Sequence, residues 1–489
     1  MKSLLAIVGL AGLVIVAMAT GARAAEAEGV PTFNTDVAPI IFNNCASCHR
    51  DGQVAPMSLT SYQQVRPWAR AIRSKVLARE MPPWFADPRF GSFRNSRGLS
   101  QEQIDTIVAW ADAGAPQGTG LAPEPPVFPE GWSHAERAPD AIVEMPLELD
   151  IPSDGEVPYL SIWAENPFDE DKFVEAIQTR PSNRAVVHHA GAYNKVLPPG
   201  TRLGEQRAFA GGPLIPFPVP IDEGETEDVQ RDREARSVFR PTLTDLLQIY
   251  VPGGGFQMFR PGVSKRIHKD RYFVFQMHYA VTGKPESDRT ALGFWFQKES
   301  THHEVVTQYR ANTHIVETQE RTAETDELQG GAGAAARVRQ GSGRRPPAIP
   351  VIPPRIADWK ITGISAVTDD MTLYGLWPHM HLRGKDMTYI VTFPDGTEEI
   401  ILNVPNYDFN WQVQYEFEEP MPIPAGSTIK VVAHYDNSIG NRYNPAPDKE
   451  VYWGQQSWDE MFQPFMEYSI DKLDIGLEAK TKTEDGAQP

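Results

Sequence analysis

The apolar residues of this chain change period part-way along it, and that change limits the fold more than any single motif does. Before about Gly118 they recur at helical spacing. In 61–80, SYQQVRPWARAIRSKVLARE, the residues Val65, Trp68, Ile72, Val76 and Leu77 share one helical face. In 100–116, Ser100 and Gln103 are spaced as a capping box. Ile104, Ile107, Val108 and Ala111 then point inward, and Gly114 and Pro116 end the helix. A further helix is expected in 35–45, TDVAPIIFNNC. Residues 119–139 form a Pro-rich linker. Beyond it come short β-branched and aromatic runs punctuated by Pro, Gly, Asp and Asn, as in 271–281, 387–404 and 427–438. Many short strands of this kind read as β-sandwiches. The expected fold is multidomain: an all-α domain in 25–118, a first β-sandwich in 140–300, a flexible linker in 301–354, a second β-sandwich in 355–475 and a tail in 476–489. Residues 200–245 read as an insertion in the first sandwich.

Residues 1–24 have a basic start, an apolar middle and an Ala22-Arg23-Ala24 end, the pattern of a secretory signal cleaved after Ala24. A periplasmic or secreted location is expected, with no membrane span after cleavage. The formal charge of −18 argues against nucleic acid or an anionic membrane surface as a partner. Only two cysteines exist, Cys45 and Cys48, in NNCASCHR. Cys-x-x-Cys-His is the attachment pattern of a c-type haem, with His49 on the iron. A thioredoxin-like pair would want a βαβ setting, and zinc would want more cysteines. Three helices around a covalent haem suffice for a cytochrome c fold. The sixth ligand is expected from Met81 in REMPPW, with Met57 as rival. A Met/His pair suits electron transfer.

The remaining histidines fall into clusters. His379 and His381, in YGLWPHMHLRGKDM, are two apart on a strand-like run and therefore point to one face. Met380 then points to the opposite face, into the core. His188 and His189 are adjacent, so they can share a metal only across a bulge or a strand end. His278, on another apolar strand, offers a third imidazole. His302 and His303 lie in the weakly patterned linker. His134, His268, His314 and His434 stand singly, as surface or packing residues.

The order His-His, His, His-x-His, then SWDEMFQPFMEY, resembles the copper type II ascorbate-dependent monooxygenases, the group of peptidylglycine α-hydroxylating and dopamine β-hydroxylating enzymes. The resemblance covers about 140–470. It implies two jelly-roll-like sandwiches and two copper ions. His188, His189 and His278 match the copper that stores an electron; His379, His381 and Met461 match the copper that binds dioxygen, with Met466 as rival to Met461. The chemistry agrees: a thioether is soft and favours Cu(I), while imidazoles serve both copper states. Zinc would more often recruit carboxylate or thiolate. Two departures matter. No disulfide can brace the sandwiches, and Trp377 and Phe465 stand where the peptide-amidating enzymes carry an arginine and a tyrosine. An apolar wall cannot hold a carboxylate. The expected substrate is therefore a small apolar or aromatic molecule with an activated C–H bond, oxidised by dioxygen. The haem would pass electrons from a periplasmic donor, in place of an ascorbate-like reductant, at high effective concentration. The expected function is a periplasmic haem-coupled copper monooxygenase; the alternative is a non-catalytic redox or copper-binding electron-transfer protein on the same fold.

Overall fold

The computed structural model describes residues 29–53, 55–128, 131–134, 137–209, 211–221, 246–309, 315–318, 351–452, 454 and 456–477. The expected signal segment lies outside them, as does most of the acidic half of the 200–245 insertion.

The helices form where the periodicity placed them, but they are short. A π-helical turn, Phe33–Val37, leads into an α-helix Ala38–Asn44. The next segment is broken at Pro67 into Tyr62–Val65, a 3-10 turn Arg66–Trp68 and Ala69–Leu77. Gln101–Asp112 carries the complete Ser100/Gln103 capping box and ends before Gly114, whose φ is +86°. Val65, Ile72, Val76, Ile104, Ile107 and Trp110 bury one small core with Phe33, Ile41 and Phe42. Trp68 and Leu77, expected on the inner face, are 43% and 48% exposed. The buried stripe is instead Val65, Ala69, Ile72 and Val76, at i, i+4, i+7 and i+11, which leaves Trp68 and Leu77 beside it.

The rest of the chain is β. One sheet joins Ala141–Glu144, Ala291–Phe296, Lys172–Arg180 and Val263–Ile267, with short edge strands at 256–258 and 303–304. A second has the order Leu160–Ala164, Tyr272–Tyr279, Val187–Lys195, Leu246–Tyr250. A third runs Val306–Tyr309, Gln463–Ile470, Met371–His379, Tyr415–Ile423. The fourth is Ile315–Thr318, Trp359–Ala366, Thr428–Tyr435, Gly384–Thr392, Glu398–Val404. Three of these strands, His303–Glu304, Val306–Tyr309 and Ile315–Thr318, fall inside the segment expected as a flexible linker, and Thr201–Arg207 pairs with Leu214–Pro220 as a hairpin inside the expected insertion. The first two sheets share one apolar core and the last two another.

This architecture corrects the expected one. Among the described residues the chain is mostly β-strand, in small sheets arranged like a four-bladed β-propeller, and no large all-α N-terminal domain is present. The fold therefore supports neither a cytochrome c domain nor the description copper monooxygenase. The physical reason lies partly in the segment after Met81. Pro82 and Pro83 stop helical structure, and Trp84, Phe85, Ala86 and Phe93 then leave the helices to pack in the core of the last two sheets. Phe93 stacks on Phe417 with centroids 5.5 Å apart, and Arg94 pairs with Glu416. The helices are thus strapped to the β-structure and do not stand as a separate body.

Buried polar and apolar contacts join the halves of the β-region. Lys265 and Glu467, both buried, pair at 3.3 Å, and Gln257 donates to the same carboxylate. Breaking such a pair leaves an uncompensated charge in the interior, which costs about 3–5 kcal/mol. Nearby, Leu246, Ile249 and Tyr193 of the second sheet pack on Trp377 and Phe465 of the third. The histidine clusters lie at this junction.

Candidate metal centres

The strand Val187–Lys195 pairs antiparallel with Tyr272–Tyr279, which sets His278 opposite His189. One step on, the register shifts, so that Tyr279 pairs with Val187 and His188 is the extra residue of a β-bulge. The bulge solves the problem posed by adjacent histidines: the rings of His188 and His189 stack at 4.0 Å, and His278 lies 5.0 and 5.6 Å from them. Donor atoms of all three residues lie within 4.8 Å of one another. His188 Nδ1 is 3.2 Å from His278 Nδ1.

Met371–His379 ends at His379, and His381 follows just beyond the strand. Their rings are 5.2 Å apart and perpendicular. Met380, between them, is fully buried in the apolar core of the last two sheets. Hydrogen bonds hold both imidazoles: His379 Nδ1 to Gln412 Oε1, and His381 Nδ1 to the Asp459 carbonyl at 3.3 Å. Both partners are acceptors, so both Nδ1 atoms carry hydrogen and both Nε2 lone pairs are free for a metal.

Glu460 joins the Met461 backbone to that of His381. One oxygen of the buried Glu460 carboxylate accepts from the backbone N–H of His381 at 2.9 Å and of Met461 at 3.1 Å; the other accepts from Arg383 N–H at 2.7 Å. A single side chain thus ties the His-x-His segment to the methionine segment. Burial pushes the Glu460 pKa up to about 7, against the pull of those N–H groups. The rival Met466 lies in the core, opposite Leu376 in the strand pairing. Trp377 and Phe465 face each other across the same ladder, with the Phe465 ring 6.4 Å from His379.

The two centres are neighbours. Phe409 lies 5.5–6.2 Å from the rings of His188, His189, His278 and His381. Tyr159 stacks on His278 at 4.4 Å and on His381 at 6.4 Å. Burial lowers the pKa of every one of these histidines, to about 3 for His278 and about 4 for His379. Each imidazole is therefore neutral at pH 7, the state in which it binds a metal. Three neutral imidazoles in one set, and two in the other, fit a borderline ion such as copper. Phe409, Gln412 and Tyr159 carry no sequence signal that marks them; Glu460 has one, its place directly before Met461.

The Cys-x-x-Cys-His motif caps the helix Ala38–Asn44, with Cys48 and His49 N–H both donating to the Cys45 carbonyl. Burial lowers the His49 pKa, opposed by a backbone group of Met57, so the ring is neutral, as an axial ligand must be. Met57 packs on the helical core; Met81 is partly buried and starts the strap toward the last two sheets. Gly253, with φ +77°, lies directly against the Cys48 thiol, where a Cβ would collide with Sγ. Of the single histidines, His434 pairs with Asp386 at 2.7 Å, which raises its pKa. His302 is exposed beside Asp474.

The sequence matches no family model and no curated protein. Among solved structures it is weakly similar to an uncharacterized protein from Listeria monocytogenes EGD-e, at 10% identity, 65% coverage of this chain and a TM-score of 0.15. The chain spans 19% of the length of that protein. Similar values relate it to a structure of infectious bursal disease virus Gx strain (9% identity, 69% of this chain and 75% of that one, TM-score 0.16) and to an allantoicase (8%, 56% and 72%, 0.14). At such scores these likenesses carry no argument about fold or function.

Proposed function

We propose that the chain is an exported copper- and haem-dependent oxidoreductase that uses dioxygen to hydroxylate an activated C–H bond of a small apolar or aromatic substrate. The reading stands on donor residues and not on the fold. The observation that carries it is the cluster His188/His189/His278, whose donor atoms lie within 4.8 Å of one another, joined through Gln412 to His379 and walled by Phe409; Met461 is proposed as the third donor beside His379 and His381. When bound, copper supplies one-electron redox chemistry and reactivity toward dioxygen. The chain's own residues present neutral donors, and Glu460 holds the His381 and Met461 segments together. Trp377 and Phe465 stand beside His379, packed under Leu246, Ile249 and Tyr193, and bring no group that could pair with a carboxylate, which favours an apolar substrate over an anionic one. A haem bound through Cys45 and Cys48, with His49 as ligand and Met81 or Met57 as the sixth, would supply an electron carrier on the same chain. A periplasmic electron donor or an ascorbate-like reductant completes the reaction.

The test is copper loading followed by product analysis under labelled dioxygen. The expected result is about two coppers per chain and one labelled oxygen in the product. Mutation of His379 or Met461 should abolish labelling while the three-histidine site keeps its copper. One copper per chain, lost equally on mutation of either set, would overturn the two-site reading. A haem band that survives denaturing electrophoresis, and is lost in Cys45→Ala/Cys48→Ala, tests the haem separately. One observation favours a second reading, a non-catalytic electron-transfer protein: Phe409 is only 7% exposed and closes the space between four imidazoles. Copper redox cycling without label incorporation would select it.

A further inference from the structure

We propose that the turn 251–255 is a docking point that holds the Cys-x-x-Cys-His segment against the sheet of the three-histidine set, with Gly253 as the positioning residue. Its role is to give electrons a fixed, bonded route from a haem on Cys48 to that set. The electron part of this rests on the proposed function; the docking part does not.

The contacts fall at two strand ends. Leu246–Tyr250 runs out into this turn, which is closed by Gly254 N–H donating to the Val251 carbonyl at 2.8 Å. A Cβ built on Gly253 would lie 2.4 Å from Cys48 Sγ, so only glycine admits the thiol. Its φ of +77° is also one that glycine adopts freely. Arg97, shortly before the helix Gln101–Asp112, donates to the Gly253 carbonyl at 2.8 Å and holds the same residue. The second strand end is that of Val187–Lys195. Arg184, shortly before it, donates to Gln53 Oε1 at 3.0 Å, just past the Cys-x-x-Cys-His motif. These two strands are neighbours, and Tyr250 pairs with Ala190. The motif therefore sits at the end of the sheet where His188 and His189 lie.

From Cys48 Sγ the first step is the contact with Gly253. The main chain then leads through Pro252 and Val251 to Tyr250, and the strand ladder passes to Ala190, the neighbour of His189. Electrons tunnel faster along such a bonded path than across an open gap of equal length. The step is a one-electron transfer: the haem is oxidised, copper of the three-histidine set is reduced, and no bond or proton moves. The periplasmic donor then reduces the haem again. A carrier on a loose tether would gain only effective concentration. The contacts of Gly253 with Cys48 and Arg97, and of Arg184 with Gln53, fix its place instead. Where placement sets a rate, a displacement of about 1 Å changes that rate by up to about 100-fold.

Two measurements test the two parts. In the haem-free full chain carrying Cys45→Ala, Gly253→Cys should form a disulfide with Cys48 on mild oxidation, seen by mass spectrometry and as loss of free thiol. Failure of that bond to form would overturn the docking. In the haem- and copper-loaded full chain without oxygen, flash reduction of the haem followed by absorbance reads its reoxidation by the three-histidine copper. Gly253→Ala should slow this on the order of 10–100-fold, with haem and copper contents as in wild type. Gly262→Ala, at φ +80° with open space around the new Cβ, carries similar backbone strain without the collision and should leave the rate unchanged. An unchanged rate in Gly253→Ala, or equal slowing in Gly262→Ala, would overturn the electron route. If Gly253→Ala fails to fold, Arg97→Leu with Arg184→Leu, which removes the other contacts, decides by the same rate. If the disulfide forms but wild type holds no haem, the docking stands, while the haem part of the proposed function falls and the electron route with it.

Discussion

At His188, His189 and His278 the donors lie inside two paired strands, and a single bulge brings them to one side. At His379, His381 and Met461 the donors lie where one strand ends and before another begins, and hydrogen bonds do the work that strand pairing does in the first centre. The first set is therefore built into a sheet that would exist without it. The second depends on one buried carboxylate, which joins the His381, Arg383 and Met461 backbones. The difference teaches that equal donor sets need not be equally robust: one is held by many shared interactions, the other by a few that serve only it.

The largest effect expected from this contrast is at Glu460. Glu460→Leu strands three buried N–H groups, each costing about 1–3 kcal/mol. The variant should lose roughly 3–5 kcal/mol in denaturant unfolding and lose metal from the second centre, with the three-histidine centre still loading. Equal loss at both centres would erase the distinction drawn above.

Acidification comes next and touches both centres. His278 and His379 have folded pKa values of about 3 and about 4, below the ordinary 6.5, because burial disfavours their charged forms. The unfolded chain binds more protons in that window, so the stability they contribute is present above about pH 6.5 and is lost as pH falls toward 4 and then 3. The slope is about 1.4 kcal/mol per pH unit for each imidazole. Glu460 acts in the opposite sense: its raised pKa contributes stability that is fully present below the ordinary 4.5 and is lost as pH rises through about 7. Metal-free protein should unfold progressively more easily from pH 6.5 to 4.5, and His278→Gln should flatten that dependence. A profile unchanged by His278→Gln would show that its burial is not maintained in solution.

A smaller effect separates the two methionines after the His-x-His motif. Met466→Leu changes shape but not volume in a packed core and should cost less than about 1.5 kcal/mol, with metal content unchanged. Met461→Leu should cost as little stability yet remove sulfur from the metal's surroundings, as X-ray absorption of the copper-loaded protein would report. Loss of the sulfur signal in Met466→Leu would exchange the roles.

How much of this was legible beforehand differs between the same two regions. The sequence alone pointed to His188, His189 and His278 as one cluster, to the need for a bulge between His188 and His189, to the burial of Met380 and to the capping box at Ser100. Each follows from spacing along one chain segment, where backbone geometry fixes which side chains share a face. What it misjudged also has a local cause: the buried stripe is as narrow as Val65, Ala69, Ile72 and Val76, and Trp68 and Leu77 fall at its edges. The arrangement of the sheets, the strap from Trp84 to Phe93, the closeness of the two centres and the parts played by Phe409 and Gln412 were decided only in three dimensions. Gln412 meets His189 across 223 positions and His379 across 33, and Arg94 meets Glu416 across 322. A hydrogen bond between such residues stabilises nothing until tertiary packing has brought them together and excluded water. Periodicity cannot encode it, because the partner is chosen by the fold.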